Sequence, residues 1–343
     1  MILSDIELSH FRHFDQLALK FQPGIQVIVG ANGSGKSSIL ESILYVSQGR
    51  SFRATRSSTL IQHQHDQMII WLTMASGTSL ALSKTQSGRT ELRINDSPAQ
   101  RQSELARHLP VIFIDTHSHR LFAEDPKHRR SLIDWMMFHV KHSMHEVALR
   151  YKAALKQRNE ALKNGGRDAH VWDDLICQYG QQLHEARQEV CEGWLAILHE
   201  MVLPFQHKLT MTYQRGWDET MSLSAALKRS RFDDLRRGYT TVGPHRFDLC
   251  VQQQGLAMSY ILSQGQQKTL YGTMRLAAAK YVQQCAAKEV LWLIDDLPAE
   301  LDQQRQHCWL DELKAQNEQV IVTALPSHQL DLPVITELDE VHV

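Results

Sequence analysis

A glycine-rich segment with a lysine and a serine at fixed positions is the most specific chemical pattern in this 343-residue chain. The segment from Gly30 to Ser38, GANGSGKSS, fits G-x-x-x-x-G-K-[ST] between an apolar run and a helix-like stretch. Glycines let backbone N–H groups face phosphate oxygens at the N-terminus of a helix. The predicted nucleotide-binding residues are Gly30, Ala31, Asn32, Gly33, Ser34, Gly35, Lys36, Ser37 and Ser38. Lys36 is expected to hold the β- and γ-phosphates of a nucleotide, and Ser37 to coordinate Mg²⁺.

Two acidic residues end an apolar strand late in the chain, in the sequence EVLWLIDD from Glu289 to Asp296. This order is typical of ATPases in which one carboxylate holds the magnesium shell and the next polarises the attacking water. We assign Asp295 to magnesium, and Asp296 to catalysis together with Lys36. The alternative is a buried strand that ends in two solvated acids, and the phosphate-binding pattern favours the ATPase.

The segment LSQGQQK, from Leu262 to Lys268, directly precedes a predicted helix. The free N–H groups and dipole at the start of a helix favour an anion. The segment resembles the signature sequence of ABC ATPases, which contacts the γ-phosphate held by a partner subunit. Ser263, Gly265 and Gln266 are therefore added to the predicted nucleotide contacts, with a simple helix cap as the alternative.

Two weaker features follow the paired acids. Residues Pro298 to Asp302, PAELD, occupy the position of a D-loop, and Thr323 follows the last apolar strand, where a switch residue is expected. A histidine usually fills that switch position in transporter ATPases, so Thr323 argues against transport. Jointly, these features favour an ABC-type ATPase over kinases, GTPases and AAA-type machines.

Composition restricts the partners and the compartment. The 37 Lys and Arg residues balance 38 Asp and Glu residues, so DNA binding would need a local basic surface. No apolar run is long enough to cross a bilayer, and the first residues lack a signal-peptide layout, which predicts the cytoplasm. Five scattered cysteines predict reduced thiols and no structural zinc. His139, His142 and His145 are interpreted as a solvated helix face rather than a metal site.

Apolar periodicity predicts an α/β fold with an inserted helical region. The predicted strands are 2–8, 17–21, 25–29, 68–75, 79–84, 91–94, 111–115, 208–214, 247–253, 290–294 and 319–325, and a helix covers 36–48. Between Pro126 and Leu203, helical arms of about 20 to 30 residues are interrupted at Gly165-Gly166 and end at Pro204. The predicted domains are residues 1–118 with 240–343, and a mainly helical lobe over 119–239.

The chain closely resembles the RecF family of DNA recombination and repair ATPases, which is related to SMC-type heads. Besides the motifs above, six segments in order carry the resemblance: FRHF (11–14), GRSFR (49–53), PKHRRSLIDW (126–135), LKQRNEAL (155–162), QRGW (214–217) and TVGPHRFDL (241–249). Three departures stand out. Thr116-His117 replaces a Pro-Glu-like pair, Glu124-Asp125 replaces a Gly-rich turn, and Ala299 replaces the usual D-loop serine. The first two departures bear on coupling between the nucleotide and the helical lobe. The third bears on a polar contact across a dimer.

The resemblance implies an ABC-type P-loop ATPase head with mixed sheets and an inserted helical lobe. It implies ATP and Mg²⁺ as ligands and an ATP-dependent homodimer in which Ser263 of one chain faces the phosphate loop of the other. It also implies binding to DNA, both duplex and single/double-strand junctions. The expected partners are RecR and RecO, with RecA loaded at single-strand gaps, and neither nuclease nor helicase activity is implied.

Local surpluses of positive charge are candidates for contact with DNA phosphates, since such contacts are sequence-blind and depend on charge. They lie in residues 50–56, in residues 227–246 and at the start of the 126–135 segment. The candidates are Arg50, Arg53, Arg56, Lys127, Arg129, Arg130, Lys228, Arg229 and Arg231. A solvated surface is the alternative for each group.

Two other functions stay open on the sequence. One is a soluble ABC-type ATPase subunit of another complex, coupled to a membrane partner, against which the helical insertion and Thr323 both count. The other is a non-hydrolysing architectural DNA-binding protein, which would keep its DNA affinity without nucleotide.

Overall fold

The computed structural model describes residues 2–201, 209–296, 311–315, 318–326 and 334–338. The chain forms two compact units. One unit combines Met1–Ser118 with Ala287–Val343, and the other is His119–Ala286. The boundary after residue 118 agrees with the predicted one, whereas the second boundary lies at residue 286 rather than 239.

An antiparallel sheet forms one layer of the first unit. Its strands are β1 (Leu3–Phe11), β2 (Phe14–Lys20), β4 (Gln67–Met74), β5 (Ser79–Thr85), β6 (Thr90–Ile94) and β7 (Ser97–Ala99). Their order in the sheet is β2-β1-β4-β5-β6-β7. Along β4, Met68, Ile70, Leu72 and Met74 are buried while the residues between them are not. A period of two places these side chains on one face of the sheet, where they join the core.

A parallel sheet forms the second layer of this unit. Its strands are β3 (Ile25–Gly30), β8 (Val111–Ile114), β12 (Leu291–Ile294), β13 (Gln319–Ala324) and β14 (Val334–Leu338). The order is β14-β3-β13-β12-β8, and every pair is parallel. All residues of β12 and β13 are buried, as expected for strands covered on both faces. Because the strands are parallel, their carboxyl ends share one edge, and residues that follow different strands meet there.

Two helices belong to the same unit, α1 (Lys36–Gln48) and α2 (Gln102–His108). Residues 38–47 of α1 are all buried, which places this helix inside the core rather than on its surface. The C-cap of α1 is Gly49 in the left-handed conformation, whose N–H bonds to the Tyr45 carbonyl. The predicted span of α1 and the predicted strands of this unit are confirmed for the residues that the structure describes.

The second unit is mainly helical. Its helices are α3 (Ser118–Glu124), α4 (Pro126–Val140), α5 (Met144–Lys163), α6 (Asp173–Glu200), α7 (Leu223–Arg237), α8 (Met258–Ile261) and α9 (Gln264–Ala286). The paired helices α5 and α6 have 20 and 28 residues. They are the two arms predicted on either side of Gly165-Gly166.

A small antiparallel sheet completes the second unit. Its strands are β9 (Thr210–Gln214), β10 (Asp248–Gln253) and β11 (Leu256–Ala257), in the order β11-β10-β9. Helix α9 packs against α4 and α6. Since β10 pairs with β9 and α9 packs on the helical layer, residues 240–286 belong to this unit, which corrects the predicted boundary at residue 240.

The sequence predicts neither α2, α7 nor β14. In α7 the buried side is short, with Leu223, Ala226, Leu227 and Asp234, and charged residues cover the remainder. Its periodicity is therefore masked by its charge. Pro204, the predicted end of the insertion, and the predicted D-loop at 298–302 lie outside the described residues.

The interpretation of three histidines as a solvated face was wrong for His139. Its side chain is 2% exposed and makes edge contacts with the rings of Trp135 and Phe138. It lies three residues after the buried Met136, on the core side of α4. His142 is exposed and His145 is half-buried against Phe138.

Four cysteines are free thiols, as predicted: Cys177, Cys191, Cys250 and Cys285. Cys308 lies outside the described residues. Among the helices of the described ranges, none is long and apolar enough to cross a membrane.

Candidate nucleotide-binding site

The phosphate-binding loop connects β3 to α1 at the carboxyl edge of the parallel sheet. Gly33 and Gly35 have φ angles of 85° and 97°, a region that glycine adopts without steric cost. At Gly30 a side chain would not fit, because its Cβ would lie 2.8 Å from the backbone oxygen of Leu338. The first N–H groups of a helix have no partner within it, so this end of α1 offers donors to an anion.

Lys36 lies back over the loop that precedes it. Its Nζ donates to the carbonyl oxygens of Gly30 at 2.6 Å and Ala31 at 2.7 Å. Burial lowers the pKa of Lys36, and the nearby Asp295 and Asp296 partly offset that decrease. The ammonium group thus stands between the loop and the paired acids, where phosphate charge is predicted.

The two acids after β12 meet the loop although they are far from it in sequence. Ser37 Oγ donates to Asp295 Oδ1 at 2.8 Å, across 258 residues of chain. Thr323 Oγ1, near the end of β13, donates to the same carboxylate oxygen at 2.8 Å. The structure thereby brings the two predicted magnesium ligands together and places the predicted switch residue beside them.

The backbone of Asp296 makes the contact that holds this residue in place. Its N–H donates to Thr323 Oγ1 at 2.9 Å, and its φ of 57° is left-handed, a conformation that aspartate tolerates better than most residues. One threonine hydroxyl therefore donates to Asp295 and accepts from Asp296. This arrangement fixes the direction in which the second acid leaves the strand.

A cavity of about 1020 Å³ opens over these groups. Its wall includes most of the loop, both acids and Thr323, and it also includes Thr116, one of the positions that depart from the family pattern. Arg53 lines the same cavity. That position places its charge at the nucleotide pocket, which favours a phosphate contact there over the predicted contact with DNA.

Arg12 is a pocket residue whose anchor is not apparent from the sequence. Its guanidinium binds Glu41 of α1 with two hydrogen bonds, Nε to Oε2 at 2.8 Å and Nη2 to Oε1 at 2.7 Å. Glu41 is fully buried and also accepts a hydrogen bond from Ser51 Oγ. A glutamate within an apolar helix has no local signal that separates it from a solvated residue, so only the fold shows this pairing.

The signature-like segment forms a reciprocal cap at the start of α9. Gln266 N–H donates to Ser263 Oγ at 3.3 Å, and Ser263 N–H donates to Gln266 Oε1 at 2.9 Å. This is the helix cap that the sequence allowed as an alternative. Ser263 is nevertheless exposed and Gly265 is half-buried, so the cap leaves this end of α9 open to a partner.

The structure divides the DNA candidates into two groups. Exposed ones are Arg50, Arg53, Arg56, Lys127, Lys228, Arg229 and Arg231, of which Arg53 lines the nucleotide cavity. Arg129 is not among them: it pairs with Asp248 at 3.0 and 2.7 Å and donates to two backbone carbonyls, so its prediction as a DNA contact is corrected. Arg130 is half-buried and donates to the Phe247 carbonyl at 3.4 Å, which also ties it to the fold.

The donor set fits magnesium-bound ATP. Adjacent oxygen ligands of an octahedral Mg²⁺ are about 2.9 Å apart when the metal–oxygen bonds are about 2.0–2.1 Å. The Ser37 and Asp295 oxygens are 2.8 Å apart. In addition, Ser34 Oγ is buried in the loop without a hydrogen-bond partner among the described residues. A phosphate-binding loop, paired acids at the end of a neighbouring parallel strand and a helical unit with a signature-like cap define an ABC-type P-loop ATPase head.

Comparison with known proteins narrows this class. The family described as RecF/RecN/SMC N terminal domain matches residues 2–333. The chain is 35% identical over 339 residues to the DNA replication and repair protein RecF of Coxiella burnetii (strain CbuG_Q212), covering 96% of this chain and 95% of that protein. It is 35% identical over 332 residues to the RecF of Shewanella sp. (strain W3-18-1), covering 95% and 92%.

Solved structures agree on the fold. A structure described as the recombination mediator protein RecF-ATP in the RecFOR pathway has a TM-score of 0.86 at 23% identity, covering 96% of this chain and 93% of its own. The Smc head domain of Pyrococcus furiosus has a TM-score of 0.55 at 17% identity, covering 95% and 90%. The chain belongs to the RecF family of DNA replication and repair proteins, within the wider RecF/RecN/SMC group.

Proposed function

We propose that this chain is an ATP-dependent DNA-binding protein of recombinational repair that dimerises on ATP, hydrolyses it slowly and helps load RecA at single-strand gaps. The observation that carries the proposal is the convergence of Ser37, Asp295 and Asp296 beside Lys36. The names of the RecF relatives and the RecFOR pathway of the structural relative support the repair role. RecR and RecO are the expected partners.

The first unit supplies the binding half of the mechanism. Lys36 and the N–H groups at the start of α1 hold phosphate oxygens, while Ser37 and Asp295 hold Mg²⁺. Bound MgATP supplies a γ-phosphate whose loss on hydrolysis weakens every contact made to it. Thr323 keeps the magnesium-binding acid and the catalytic acid in register, because its single hydroxyl bonds to both residues.

Asp296 is the general base of the proposal. A carboxylate at this position can accept a proton from, or orient, a water that lies in line with the terminal phosphate. The hydrogen bond from its N–H to Thr323 and its left-handed backbone hold the residue in place before the reaction. Lys36 balances charge that develops on the phosphate oxygens.

The second unit supplies the contact with a second copy. Ser263, Gly265 and Gln266 stand at the N-terminus of α9, where N–H groups favour an anion. Ser263 is exposed, so another chain can reach it. Two chains would enclose two ATP molecules, each held by the Gly30 to Ser38 loop of one copy and the Ser263 end of the other. ATP then acts as part of the interface, and hydrolysis releases the dimer.

Analytical ultracentrifugation with saturating ATP and magnesium tests this arrangement. Asp296→Asn should be a dimer that persists after the wild-type protein has hydrolysed its ATP. Ser263→Arg should remain a monomer that still binds one ATP per chain, because a bulky charge blocks only the second half of the site. Ser87→Arg, at an exposed turn of the antiparallel sheet, is the matched control and should dimerise normally. A monomeric Asp296→Asn protein would show that ATP does not bridge two chains.

DNA binding is tested through its salt dependence. Replacing Lys228, Arg229 or Arg231 with alanine should lower duplex affinity and reduce the slope of log K against log salt by about 0.9 for each lost phosphate contact. Arg89→Ala, exposed on the first unit and paired with Glu91, should leave the slope unchanged. A wild-type slope in all three α7 variants would remove α7 from the DNA surface.

A further inference from the structure

Two histidines and one aspartate come together beside the turn that joins β1 to β2. We call His10, Asp15 and His65 the His–Asp cluster. One ligand atom from each of the three lies within 4.8 Å of the other two. His10 Nδ1 is 3.0 Å from Asp15 Oδ1, and the rings of His10 and His65 stack with centroids 3.7 Å apart.

The backbone holds the two segments that carry the cluster. Arg12 N–H donates to the Leu60 carbonyl at 2.7 Å, and Gln62 N–H donates to the His10 carbonyl at 2.8 Å. His10 and Gln64 both have left-handed backbones, with φ of 52° and 68°. Such a conformation is strained for a residue other than glycine and persists only where surrounding contacts impose it.

The stabilising contacts visible in the cluster do not explain why it is built this way. Asp15 is 72% exposed and His10 is 31% exposed, and solvent screens a contact at such exposure so that it adds little stability. His10 Nδ1 also lies 3.3 Å from Gln62 Oε1, and neither of these two contacts involves the stacked His65 ring. A positive ion between the three side chains would engage all of them at once.

We propose that His10, Asp15 and His65 bind a divalent transition-metal ion of the Zn²⁺ class, which joins the β1–β2 turn to the segment 61–66. Two imidazoles and one carboxylate are ligands that such ions prefer, whereas Mg²⁺ prefers sites made of oxygen alone. The site therefore differs in chemistry from the magnesium site at Ser37 and Asp295. The absence of paired cysteines excludes only thiolate zinc sites and does not bear on this one.

The geometry needs a small adjustment on binding. Ligand atoms on a tetrahedral zinc are about 3.3 Å apart for bonds of about 2.0–2.1 Å. The His10 to Asp15 separation is already below that distance. The His65 ring must tilt out of its stack so that its nitrogen points at the ion. Because the three side chains are half-buried or exposed, rotation about their side-chain bonds meets little packing resistance.

A metal ion at the His–Asp cluster would also restrain part of the nucleotide cavity. The turn also carries Arg12 and His13, and the segment also carries His63 and Gln64, all of which line the nucleotide cavity. An ion that ties the two segments together restrains both parts of that wall. Its effect is measurable without nucleotide, as slower hydrogen exchange in residues 10–16 and 61–67.

Calorimetric titration of the untagged full chain with ZnCl₂, in excess Mg²⁺ and without nucleotide, tests the proposal. The wild type should bind one Zn²⁺ saturably, and His65→Ala and Asp15→Asn should each weaken binding by about tenfold or more. His170→Ala, at an exposed position of the second unit, is the matched control and should bind as the wild type does. The absence of saturable binding, or equal affinity in wild type and His65→Ala, would overturn the site.

Cobalt substitution separates this site from adventitious thiolate binding. Co²⁺ bound to imidazole and carboxylate should give visible ligand-field absorption without sulfur-to-metal charge-transfer bands. Both features should be unchanged in Cys285→Ser, which removes the exposed one of the four cysteines that the structure describes. Charge-transfer bands that vanish in Cys285→Ser would assign the ion to that thiol and refute the His–Asp cluster. Binding should also weaken on acidification, because the ion competes with protons for imidazole.

Discussion

The nucleotide site of the first unit and the buried ion-pair framework of the second unit use carboxylates in opposite ways. In the first unit, Asp295 accepts hydrogen bonds from the hydroxyls of Ser37 and Thr323, at an edge open to a cavity. In the second unit, Asp234 and Asp248 are paired with arginines at 2.8 and 2.7 Å. A carboxylate held by hydroxyls keeps its capacity to bind a cation, whereas one neutralised by a guanidinium does not. The contrast separates the chemistry of the first unit from the framework of the second.

Asp234 shows how far the framework role extends. Its side chain is fully buried and accepts hydrogen bonds from Arg158 of α5, Ser230 of α7 and both the N–H and the hydroxyl of Thr241. Burying an ion pair costs desolvation energy, which is offset only when the remaining lone pairs are also satisfied. The number of partners therefore indicates a fixed junction of three segments rather than a site for ligands.

The largest expected effect is on catalysis, from Asp296→Asn. Loss of a general base should lower kcat for ATP hydrolysis by about 10²- to 10⁴-fold, with little change in the free energy of unfolding. Asp248→Asn is the counterpart in the second unit. It should lower stability, because Arg129 loses its partner, while kcat per folded molecule is retained. Steady-state hydrolysis and urea unfolding of both variants measure the contrast, and similar kcat losses in the two would contradict it.

The next effect is on stability, from Arg158→Met. Arg158 is 1% exposed and pairs with Asp173 and Asp234. Removing one member of a buried pair should lower the free energy of unfolding by about 3–5 kcal/mol. Arg229→Met, at a 75% exposed position 3.7 Å from Asp218, should cost less than about 1 kcal/mol. Equal costs measured by urea unfolding would mean that burial does not set the strength of these pairs.

The sequence predicts the catalytic side of this comparison better than the framework side. The phosphate loop, the paired acids and Thr323 are each marked by a local pattern, and the parallel sheet then brings them to one edge. Ion pairs have no such pattern. Arg129 and Asp248 are 119 residues apart, and a lysine- and arginine-rich run such as PKHRR suggests a solvated surface until its neighbours are known.

The sequence also fails to predict which polar residues lie on the buried faces of helices, for a related reason. His139 and Glu41 are polar residues on buried positions of α4 and α1, and their burial depends on other segments of the chain. Glu41 also takes its charged partner from another segment, because Arg12 lies in the β1–β2 turn. The predicted domain boundary differs from the observed one because β10 and α9 follow the predicted insertion in sequence but belong to the second unit. Local sequence determines the helices and strands. Contacts with distant segments determine the burial of His139 and Glu41 and the position of the domain boundary.

The neutral side chain of Gln319 links the two sheets of the first unit, and Gln319→Leu tests the strength of this link. Gln319 Oε1 accepts from Ile2 N–H and Leu3 N–H at 2.8 Å each, and its Nε2 donates to the Leu3 carbonyl at 2.7 Å. These bonds tie the first strand of the antiparallel sheet to β13 of the parallel sheet. Leucine would leave two buried donors unsatisfied, at a cost of about 2–4 kcal/mol that is independent of salt. Gln181→Leu, exposed on α6, should change little.

The smallest effect concerns a carboxylate that fits neither side of the comparison. Glu318 is 3% exposed, its Oε2 accepts from Val290 N–H at 3.4 Å, and Oε1 has no hydrogen-bond partner among the described residues. Burial raises the pKa of Glu318 to about 7, and Glu289 adds to the rise. The folded chain therefore holds this proton more tightly than the unfolded chain, whose glutamates titrate near pH 4.3–4.5.

This raised pKa makes the stability of the folded chain depend on pH. Below about pH 4.5 the group is protonated in both states and adds nothing, and the penalty for ionising it grows until about pH 7. The free energy of unfolding should thus fall as pH rises through this window. Glu318→Gln should be more stable than the wild type by about 1–3 kcal/mol at pH 8 and no different at pH 4.5. Glu91→Gln, half-exposed beside Arg89, should show no such divergence. A constant difference between wild type and Glu318→Gln from pH 5 to 8 would mean that this buried acid is satisfied, as Asp234 is, by a charged partner.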